Sequence, residues 1–280
     1  MSTPSADPAA GATGGVLLVG CGKMGGALLQ GWLESGVAPG FAVVEPGPGA
    51  ATFAGRREVR LYQSAVTLDL DLRPSVIVFA VKPQAMGDVV HHYRRFVTPG
   101  TVFLSIAAGK TLAYFARHLG AEAAIIRAMP NTPAAIGRGI SVGCPNPLAS
   151  ATQIALCDRL LAAAGEVAWV DDEALIDAVT AVSGSGPAYV FLLIESLAKA
   201  GIAAGLPAEL AMRLARATVS GAGELARLSS EPAEVLRQNV TSPGGTTRAA
   251  LDVLMASDGL EALMTKAVAA AAARSRALAE

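Results

Sequence analysis

The sequence predicts an α/β protein, with a doubly wound parallel sheet in its first part and an all-helical second part. Three observations support this fold class. Short apolar runs alternate with helical patterns up to about residue 170. A glycine-rich turn directly follows the first apolar run. After Asp171 the strand-like runs stop, and helical patterns rich in Ala and Leu continue to the end. We therefore predict a domain boundary near residue 170.

Composition narrows the classes of function. The chain has 280 residues and a net charge of −1, so it offers no excess of basic charge to nucleic acid or an anionic membrane. Hydrophobic residues make up 52% and charged residues 16%, which favours an oligomer that buries apolar surface between subunits. No apolar run reaches membrane-spanning length without Gly, Pro or charge interrupting it. Residues 1–14 are predicted to be a disordered tail rather than a signal peptide.

Cysteine and histidine usage gives no sign of a metal site. The three cysteines are Cys21, Cys144 and Cys157. Their odd number and spacing predict reduced thiols in a cytoplasmic protein, serving as small core residues. The three histidines are His91, His92 and His118. All three lie in predicted surface helices away from the glycine-rich turn, which argues against a catalytic histidine. The pattern also lacks metal-ligand spacing.

Eight strands are expected, at residues 16–19, 41–45, 59–62, 75–81, 101–106, 124–128, 140–144 and 167–170. The last two are expected at an edge of the same sheet. Helices are expected at 26–35, 84–96 and 111–119, between strands. The second part is expected to form helices at 172–182, 187–204, 207–229, 232–239, 243–256 and 259–279. These helices are apolar on too many sides to be stable alone, which indicates packing against a second subunit.

The first apolar run leads into Gly20-Cys-Gly-Lys-Met-Gly25, which matches the dinucleotide-binding pattern G-x-G-x-x-G. Its position between a strand and a helix is the context that this pattern requires. Gly20, Gly22 and Gly25, with Lys23 and Met24, are therefore predicted to bind the cofactor. Glu45 ends the second strand, twenty positions after Gly25, where an NAD-binding carboxylate is expected to meet a ribose. The alternative is a solvated charge at the end of a strand.

Ligands of such sheets bind at the carboxyl ends of the strands. Three loops lie at this edge: Lys82-Pro83, Ala107-Ala-Gly109 and Met129-Pro-Asn-Thr-Pro133. In the third loop, Asn131 lies between two prolines. Its amide is placed to hydrogen-bond the nicotinamide or its ribose, or the loop is a plain turn.

The stretch Asn239-Val-Thr-Ser-Pro-Gly-Gly-Thr-Thr247 predicts a small-anion site. Ser242 is a favourable N-cap and Pro243 fits a first helical turn. A helix starting here would leave the N–H groups of Gly244, Gly245 and Thr246 free for a carboxylate. The hydroxyls of Thr246 and Thr247 lie beside them. The alternative is a capped helix with no ligand.

Six motifs resemble those of pyrroline-5-carboxylate reductase, in the family's order and over nearly the whole chain beyond the first fifteen residues. They are Gly20-Cys-Gly-Lys-Met-Gly25, Ala80-Val-Lys-Pro83, Ser105-Ile-Ala-Ala-Gly109, Arg127-Ala-Met-Pro-Asn-Thr-Pro133, Ser183-Gly-Ser-Gly-Pro-Ala-Tyr189 and Asn239-Val-Thr-Ser-Pro-Gly-Gly-Thr-Thr247. The glycine turn occurs in many dehydrogenases. Met-Pro-Asn-Thr-Pro together with Ser-Pro-Gly-Gly-Thr-Thr is specific to this family.

The resemblance implies NAD(P)H-dependent reduction of 1-pyrroline-5-carboxylate to L-proline, with a Rossmann-like domain over 15–170. It also implies that residues 171–280 form a helical dimerisation and substrate domain, with the homodimers assembled further into a ring. The substrate carboxylate would meet Ser242 and Gly244–Thr247, and Thr247 would lie by the imine nitrogen. The cofactor would be surrounded by Val81, Lys82, Pro83, Ala107, Met129 and Asn131. The chemistry requires the substrate loop to face the nicotinamide.

One departure from the family pattern concerns cofactor choice. Family members commonly carry small hydroxyl residues after the second strand, where a 2′-phosphate binds, whereas this chain reads Glu45-Pro-Gly-Pro48. A carboxylate there should repel a 2′-phosphate. We therefore expect NADH to be used at least as well as NADPH.

Two other functions fit parts of the pattern. A β-hydroxyacid dehydrogenase shares the two-domain plan, but the position of its catalytic lysine is occupied here by Val190, and Lys199 lies over two helical turns further on. A non-catalytic dinucleotide sensor would use the helical part only for assembly. The intact Ser-Pro-Gly-Gly-Thr-Thr loop argues against a sensor.

Overall fold

A computed structural model describes residues 15–279. The predicted tail at 1–14 lies outside the described residues. Two compact units are present: the first comprises residues 15–184 and 272–279, and the second is Ser185–Ala271. The last strand ends at Trp169, next to the boundary expected near residue 170, while the first compact unit continues to Gly184. The division of the chain into functional domains near residue 170 stays a prediction.

The first unit contains an eight-stranded sheet in the order β3-β2-β1-β4-β5-β6-β7-β8. The strands are β1 Gly15–Val19, β2 Phe41–Val44, β3 Val59–Tyr62, β4 Pro74–Phe79, β5 Val102–Ser105, β6 Ala124–Met129, β7 Gly139–Pro145 and β8 Gly165–Trp169. All eight expected strands are therefore confirmed. The sheet is not wholly parallel, because β7 pairs antiparallel with β6, while every other neighbouring pair is parallel.

Five helices belong to the first unit: α1 Lys23–Ser35, α2 Met86–Val90, α3 Leu112–Leu119, α4 Ala151–Ala162 and α5 Leu175–Val179. The helix expected at 84–96 is broken, since α2 continues as a 3₁₀ segment over His91–Phe96. The buried residues Val90, Tyr93 and Phe96 recur every third residue, a spacing that aligns side chains in a 3₁₀ helix. Helix α4 was not predicted, although Ser150 and Gln153 form a capping box at its start.

The core lies on both faces of the sheet. In β1, Leu18 packs into one buried cluster and Leu17 into the other, as the alternation of side chains along a strand requires. Trp32 of α1 is fully buried and stacks on Phe41. Its indole N–H donates to the Leu160 carbonyl of α4 at 2.7 Å. This bond links two helices that cover the same face. The three cysteines are free and buried, which confirms their prediction as core residues.

The second unit contains helices α6 Gly186–Ala203, α7 Ala208–Leu228, α8 Ala233–Asn239 and α9 Thr246–Leu254. Helix α10, Leu260–Leu278, begins in the second unit and ends in the first. The expected all-helical second part is thus confirmed. The buried apolar residues of the second unit are all alanines, namely Ala198, Ala211 and Ala215. Large apolar side chains are exposed on several helices, including Phe191, Leu192, Leu225, Val253 and Leu263.

A continuous helical stretch, Leu175–Ala203, is long and apolar enough to cross a membrane by length and composition alone. It is the one such stretch in the part of the chain that the structure describes. Its most apolar window has a mean hydropathy of 1.3. Glycine, proline and charged residues interrupt this run in the sequence, as expected, but the backbone stays helical through Gly184–Pro187 by way of a π-helical turn at Thr180–Gly184.

The Trp32 hydrogen bond generates a stability prediction. Trp32→Phe retains most of the buried ring but leaves the Leu160 carbonyl without its donor, so the free energy of unfolding should fall by about 1–3 kcal/mol. Trp169→Phe is the matched control, since the Trp169 indole donates to a part-buried Asp158 carboxylate that can be rehydrated. Urea unfolding at one fixed protein concentration measures the free energy of unfolding of both variants. An equal or larger loss in the control would contradict this account.

Candidate functional site

The glycine-rich turn has the backbone geometry of an anion cradle. Gly20 follows β1 with φ +92°, a value that favours glycine. Gly22 is the N-cap of α1 and makes no side-chain cap hydrogen bond, and the first turn of α1 holds no acidic residue. A Cβ added to Gly22 would meet no described atom within 4 Å. The backbone at the start of α1 therefore has open space beside Gly22, as pyrophosphate binding requires.

Gly25 has a different role in the same turn. A Cβ at Gly25 would collide with the Gly20 carbonyl oxygen and lie 3.1 Å from the Ala80 side chain. Glycine at this position thus lets α1 approach the ends of β1 and β4. The two remaining residues of the turn that were predicted to bind cofactor, Lys23 and Met24, form the first residues of α1.

Glu45 faces the glycine-rich turn. It directly follows β2, and one carboxylate oxygen accepts the Cys21 N–H at 2.6 Å while the other accepts the Gly47 N–H at 2.8 Å. Two backbone donors thus orient the carboxylate. Burial, with the nearby Glu45 charge, raises the pKa of Cys21 to about 11. The Cys21 thiol is therefore protonated at neutral pH and adds no negative charge to the turn.

The loops after β4 and β5 lie at the same edge of the sheet as the glycine-rich turn. A Cβ at Gly20 would lie 2.8 Å from Cγ1 of Val81, so the glycine-rich turn is in contact with the loop that follows β4. Lys82 is exposed, and Pro83 begins a 3₁₀ turn. Ala107 is buried, and its N–H donates to the Ser105 hydroxyl at 3.2 Å. The sheet therefore brings together these residues with Gly20 and Glu45.

The loop after β6 contains Met129 and Asn131. The Asn131 side-chain oxygen accepts the Ile140 N–H at 2.9 Å, and its side-chain nitrogen donates to the Ser183 carbonyl at 3.2 Å. The Met129 methyl would lie 2.6 Å from a Cβ at Gly184. Asn131 thus fixes this loop against β7 and the π-helical turn. Since the amide has two N–H donors, one remains beyond the bond to Ser183.

An ion pair between a buried arginine and a half-buried glutamate supports this edge. Arg127 in β6 is 3% exposed and donates to a Glu173 carboxylate oxygen at 2.8 Å. The same oxygen accepts the Leu112 N–H at the start of α3. Neither charge was predicted from the sequence to have a role. The signal was a single arginine inside the apolar strand Ala124–Met129, because a buried charge requires a partner.

In the second unit, the structure corrects the helix start at the predicted anion site. Helix α9 begins at Thr246 with Gly245 as its N-cap, whereas Ser242 was expected to be the N-cap. Residues Ser242–Gly245 form a turn in which the Ser242 carbonyl accepts the Gly245 N–H at 3.0 Å. Gly244 has φ +68°. Pro followed by a positive-φ Gly is typical of a type II turn, and the αL residue cannot belong to the helix.

The free donors therefore differ from those expected. The first helical N–H groups are those of Thr246, Thr247 and Arg248, and the Gly245 N–H, expected to be free, is bound by the Ser242 carbonyl. Helix α9 makes no side-chain cap hydrogen bond and has no acidic residue in its first turn. The Arg248 guanidinium pairs with Asp252 at 2.8 Å. The hydroxyl of half-buried Thr247 lies in the same first turn. This helix start can accept a small carboxylate.

The predicted residues thus form two groups. Those assigned to the cofactor lie in the first unit, around the carboxyl edge of the sheet. Those assigned to the substrate lie in the second unit, from Ser242 to Thr247. The first group fits a dinucleotide, since it combines an uncapped helix start, an open glycine and an oriented carboxylate. The structure offers no group of His, Cys, Asp and Glu side chains suited to a metal among residues 15–279.

Two family models match successive parts of the chain. Residues 15–109 match "NADP oxidoreductase coenzyme F420-dependent", and residues 173–278 match "Pyrroline-5-carboxylate reductase dimerisation". The first match covers the glycine-rich turn and the next two loops. The second covers both the helical unit and the end of α10.

Similar proteins match over almost the whole chain. A pyrroline-5-carboxylate reductase of Pseudomonas aeruginosa is 42% identical, covering 95% of this chain and 97% of that protein. The solved pyrroline-5-carboxylate reductase of Coxiella burnetii is 33% identical with a TM-score of 0.89, covering 96% and 99% of the two chains. The Plasmodium falciparum pyrroline carboxylate reductase, solved with NADP bound, is 29% identical with a TM-score of 0.78, covering 95% and 98%. With this identity over nearly its full length, the chain belongs to the pyrroline-5-carboxylate reductase family.

Proposed function

We propose that this enzyme reduces the C=N bond of 1-pyrroline-5-carboxylate with NAD(P)H to give L-proline, the last step of proline biosynthesis. Membership of the family supports the reaction. The observation that carries the site assignment is the start of α9, whose first turn contains Thr247 and has neither a capping side chain nor an acid. A five-membered imine with a carboxylate needs both kinds of donor, since backbone N–H groups can bind the carboxylate and a hydroxyl can hydrogen-bond the ring nitrogen.

The cofactor is held by the first unit. The uncapped N-terminus of α1, with Gly20, Gly22, Lys23, Met24 and Gly25, receives the pyrophosphate, and Glu45 meets the adenosine ribose. The loops after β4, β5 and β6 surround the remainder of the cofactor. Their residues are Val81, Lys82, Pro83, Ala107, Met129 and Asn131. When bound, the reduced nicotinamide supplies the hydride. Asn131 holds its loop in place through its two backbone bonds and has one N–H left for the cofactor.

The substrate is held by the second unit. Ser242, Gly244, Gly245, Thr246 and Thr247 surround its carboxylate, which accepts the first N–H groups of α9. The Thr247 hydroxyl hydrogen-bonds the ring nitrogen and orients its proton. A cyclic imine takes this proton from water, so the protein positions the reactant rather than acting as a strong acid or base. The reaction itself requires the imine carbon to come into contact with the nicotinamide.

Glu45 favours NADH. Its carboxylate is fixed toward the glycine-rich turn by the Cys21 and Gly47 N–H groups. A dianionic 2′-phosphate near this carboxylate would be repelled, whereas ribose hydroxyls would donate to it. The two following positions, Pro46 and Gly47, offer no side-chain hydroxyl to a phosphate.

We therefore expect kcat/KM with NADH to equal or exceed that with NADPH. Glu45→Gln removes the charge and keeps an oxygen acceptor, so it should shift the ratio toward NADPH by roughly tenfold (about 1.4 kcal/mol). Glu58→Gln, which removes the same charge just before β3, is the control and should leave the ratio unchanged. Steady-state kinetics with both cofactors measures the ratio. A tenfold preference of the wild type for NADPH would refute the assignment.

Thr247→Ala should lower kcat by roughly tenfold or more, because the imine nitrogen loses a positioned hydrogen-bond donor. Thr247→Ser keeps the hydroxyl and should retain most of kcat. The measurement is initial rates with cofactor and imine both saturating. If the Ala variant keeps the wild-type kcat, Thr247 has no part in the chemical step.

The helical unit supports a homodimer. Its exposed side chains include Phe191, Leu192 and Leu263, each at least 59% exposed, and the match to the family's dimerisation model covers all of these positions. Burial of such side chains against a second copy is favourable by about 25 cal/mol per Å². The same argument accounts for the apolar helix at Leu175–Ala203 without a membrane. We place the enzyme in the cytoplasm, where its free thiols stay reduced, and expect dimers to assemble further into a ring.

Phe191→Glu should weaken the dimer, because it places a charge on a face that the partner covers. Leu70→Glu is the matched control, since Leu70 lies in the first unit and is 88% exposed. Light scattering over a dilution series gives the mass of each species and also tests for the ring. A Phe191→Glu protein that keeps the wild-type mass at every concentration would exclude this face from the interface.

A further inference from the structure

Helix α10 belongs to both compact units. Its residues up to Ala271 lie in the helical unit, and Ala272–Leu278 lie in the first unit. This last part is well packed, since Ala272 is 8% and Ser275 7% exposed. The chain thus returns to the dinucleotide-binding unit after forming the helical one.

The first contact of this helix end is a hydrogen bond to α5. The Ser275 hydroxyl donates to an Asp177 carboxylate oxygen at 2.6 Å. Next to Asp177 in α5, Ile176 is fully buried against Val142 and Cys144 of β7. The bond therefore ties α10 to an element anchored on the sheet. A hydrogen bond to a charged acceptor is stronger than one between neutral groups.

The second contact is with the loop that follows β5. Gly109 has φ +75°, and a Cβ there would lie 2.8 Å from the Leu278 carbonyl oxygen. The backbone of α10 thus lies directly against the Gly109 backbone. Ser275 and Leu278 are three residues apart and share one helix face, so the same face contacts both α5 and this loop.

We propose that Ser275 is a positioning residue for cofactor binding, because it holds the end of α10 against the loop Ala107–Gly109. The inference rests on the proposed role of Ala107 at the cofactor. Ala107 precedes Gly109 by two residues, and its N–H is already bound to Ser105. The loop is therefore fixed from within by Ser105 and from outside by Leu278. Loosening the outer contact gives the loop more freedom, and cofactor binding must then restrict that freedom.

The contacts that carry the proposal, Ser275 with Asp177 and Leu278 with Gly109, lie within the first unit. Ser275 touches neither ligand in this account, since it acts through the loop.

The test compares Ser275→Ala, Asp177→Asn and Thr265→Ala in the full chain at one protein concentration. Asp177→Asn keeps an acceptor for the Ser275 hydroxyl, so its Kd and KM for NADH should stay near the wild-type values. Thr265 is the control, since its exposed hydroxyl donates to the Glu261 carbonyl within α10. The readouts are Kd for NADH by fluorescence, KM and kcat, and amide hydrogen exchange of residues 106–112. For Ser275→Ala we expect Kd and KM for NADH to rise roughly fivefold, faster exchange in the loop, and kcat at saturation within about twofold.

Three results would overturn the proposal. An equal loss of NADH affinity in Ser275→Ala and Thr265→Ala would indicate general loosening of α10. Faster loop exchange with unchanged Kd would show that the loop does not contribute to cofactor affinity and would remove Ala107 from the cofactor site. Unchanged exchange and Kd in an active Ser275→Ala enzyme would overturn the positioning role alone. The reductase assignment fails separately, if the wild-type enzyme does not oxidise NADH or NADPH with the imine.

Discussion

Two helix starts without capping side chains are the features on which the proposed chemistry depends. Helices α1 and α9 both have glycine as N-cap, and neither has a side-chain cap or an acid in its first turn. Elsewhere in the described chain, Thr111 caps α3 and Ser150 caps α4, while α7 and α10 carry Glu209 and Glu261 in their first turns. Helix α6 likewise has neither a side-chain cap nor an acid in its first turn. Since a free helix N-terminus attracts anions, the starts of α1 and α9 keep N–H donors for the cofactor and the substrate carboxylate in the proposed chemistry.

The rest of the first unit holds the α1 terminus at the edge of the sheet. Gly25 permits close packing of α1 on the ends of β1 and β4, and the Trp32 indole ties the same helix to α4. The parallel strands then place successive loops beside it. Rigidity here has a function, because a cradle that is already formed costs less entropy when it binds its ligand.

Several polar side chains at this edge support the protein and the ligand site together. Glu45 accepts hydrogen bonds from two backbone N–H groups, which hold its carboxylate beside the glycine-rich turn. Asn131 joins three segments through two hydrogen bonds, and buried Arg127 pairs with half-buried Glu173. Replacing such a side chain disturbs the loop that it supports as well as its contact with the ligand. Conservative variants that keep one hydrogen-bonding partner separate the effect on the loop from the effect on the ligand contact.

The sequence by itself determined the fold class, all eight strands and most of the helices, although it missed α4, because hydrophobic periodicity and glycine punctuation are local properties. It also marked the glycine-rich turn and Ser242–Thr247. Only the tertiary structure decided that α9 starts at Thr246, since a type II turn and a helical first turn place Pro in the same local pattern. It alone revealed the antiparallel β7, the Arg127–Glu173 pair and the return of α10 to Gly109. Those features join residues far apart in the chain, and no local pattern encodes which distant partner a side chain meets.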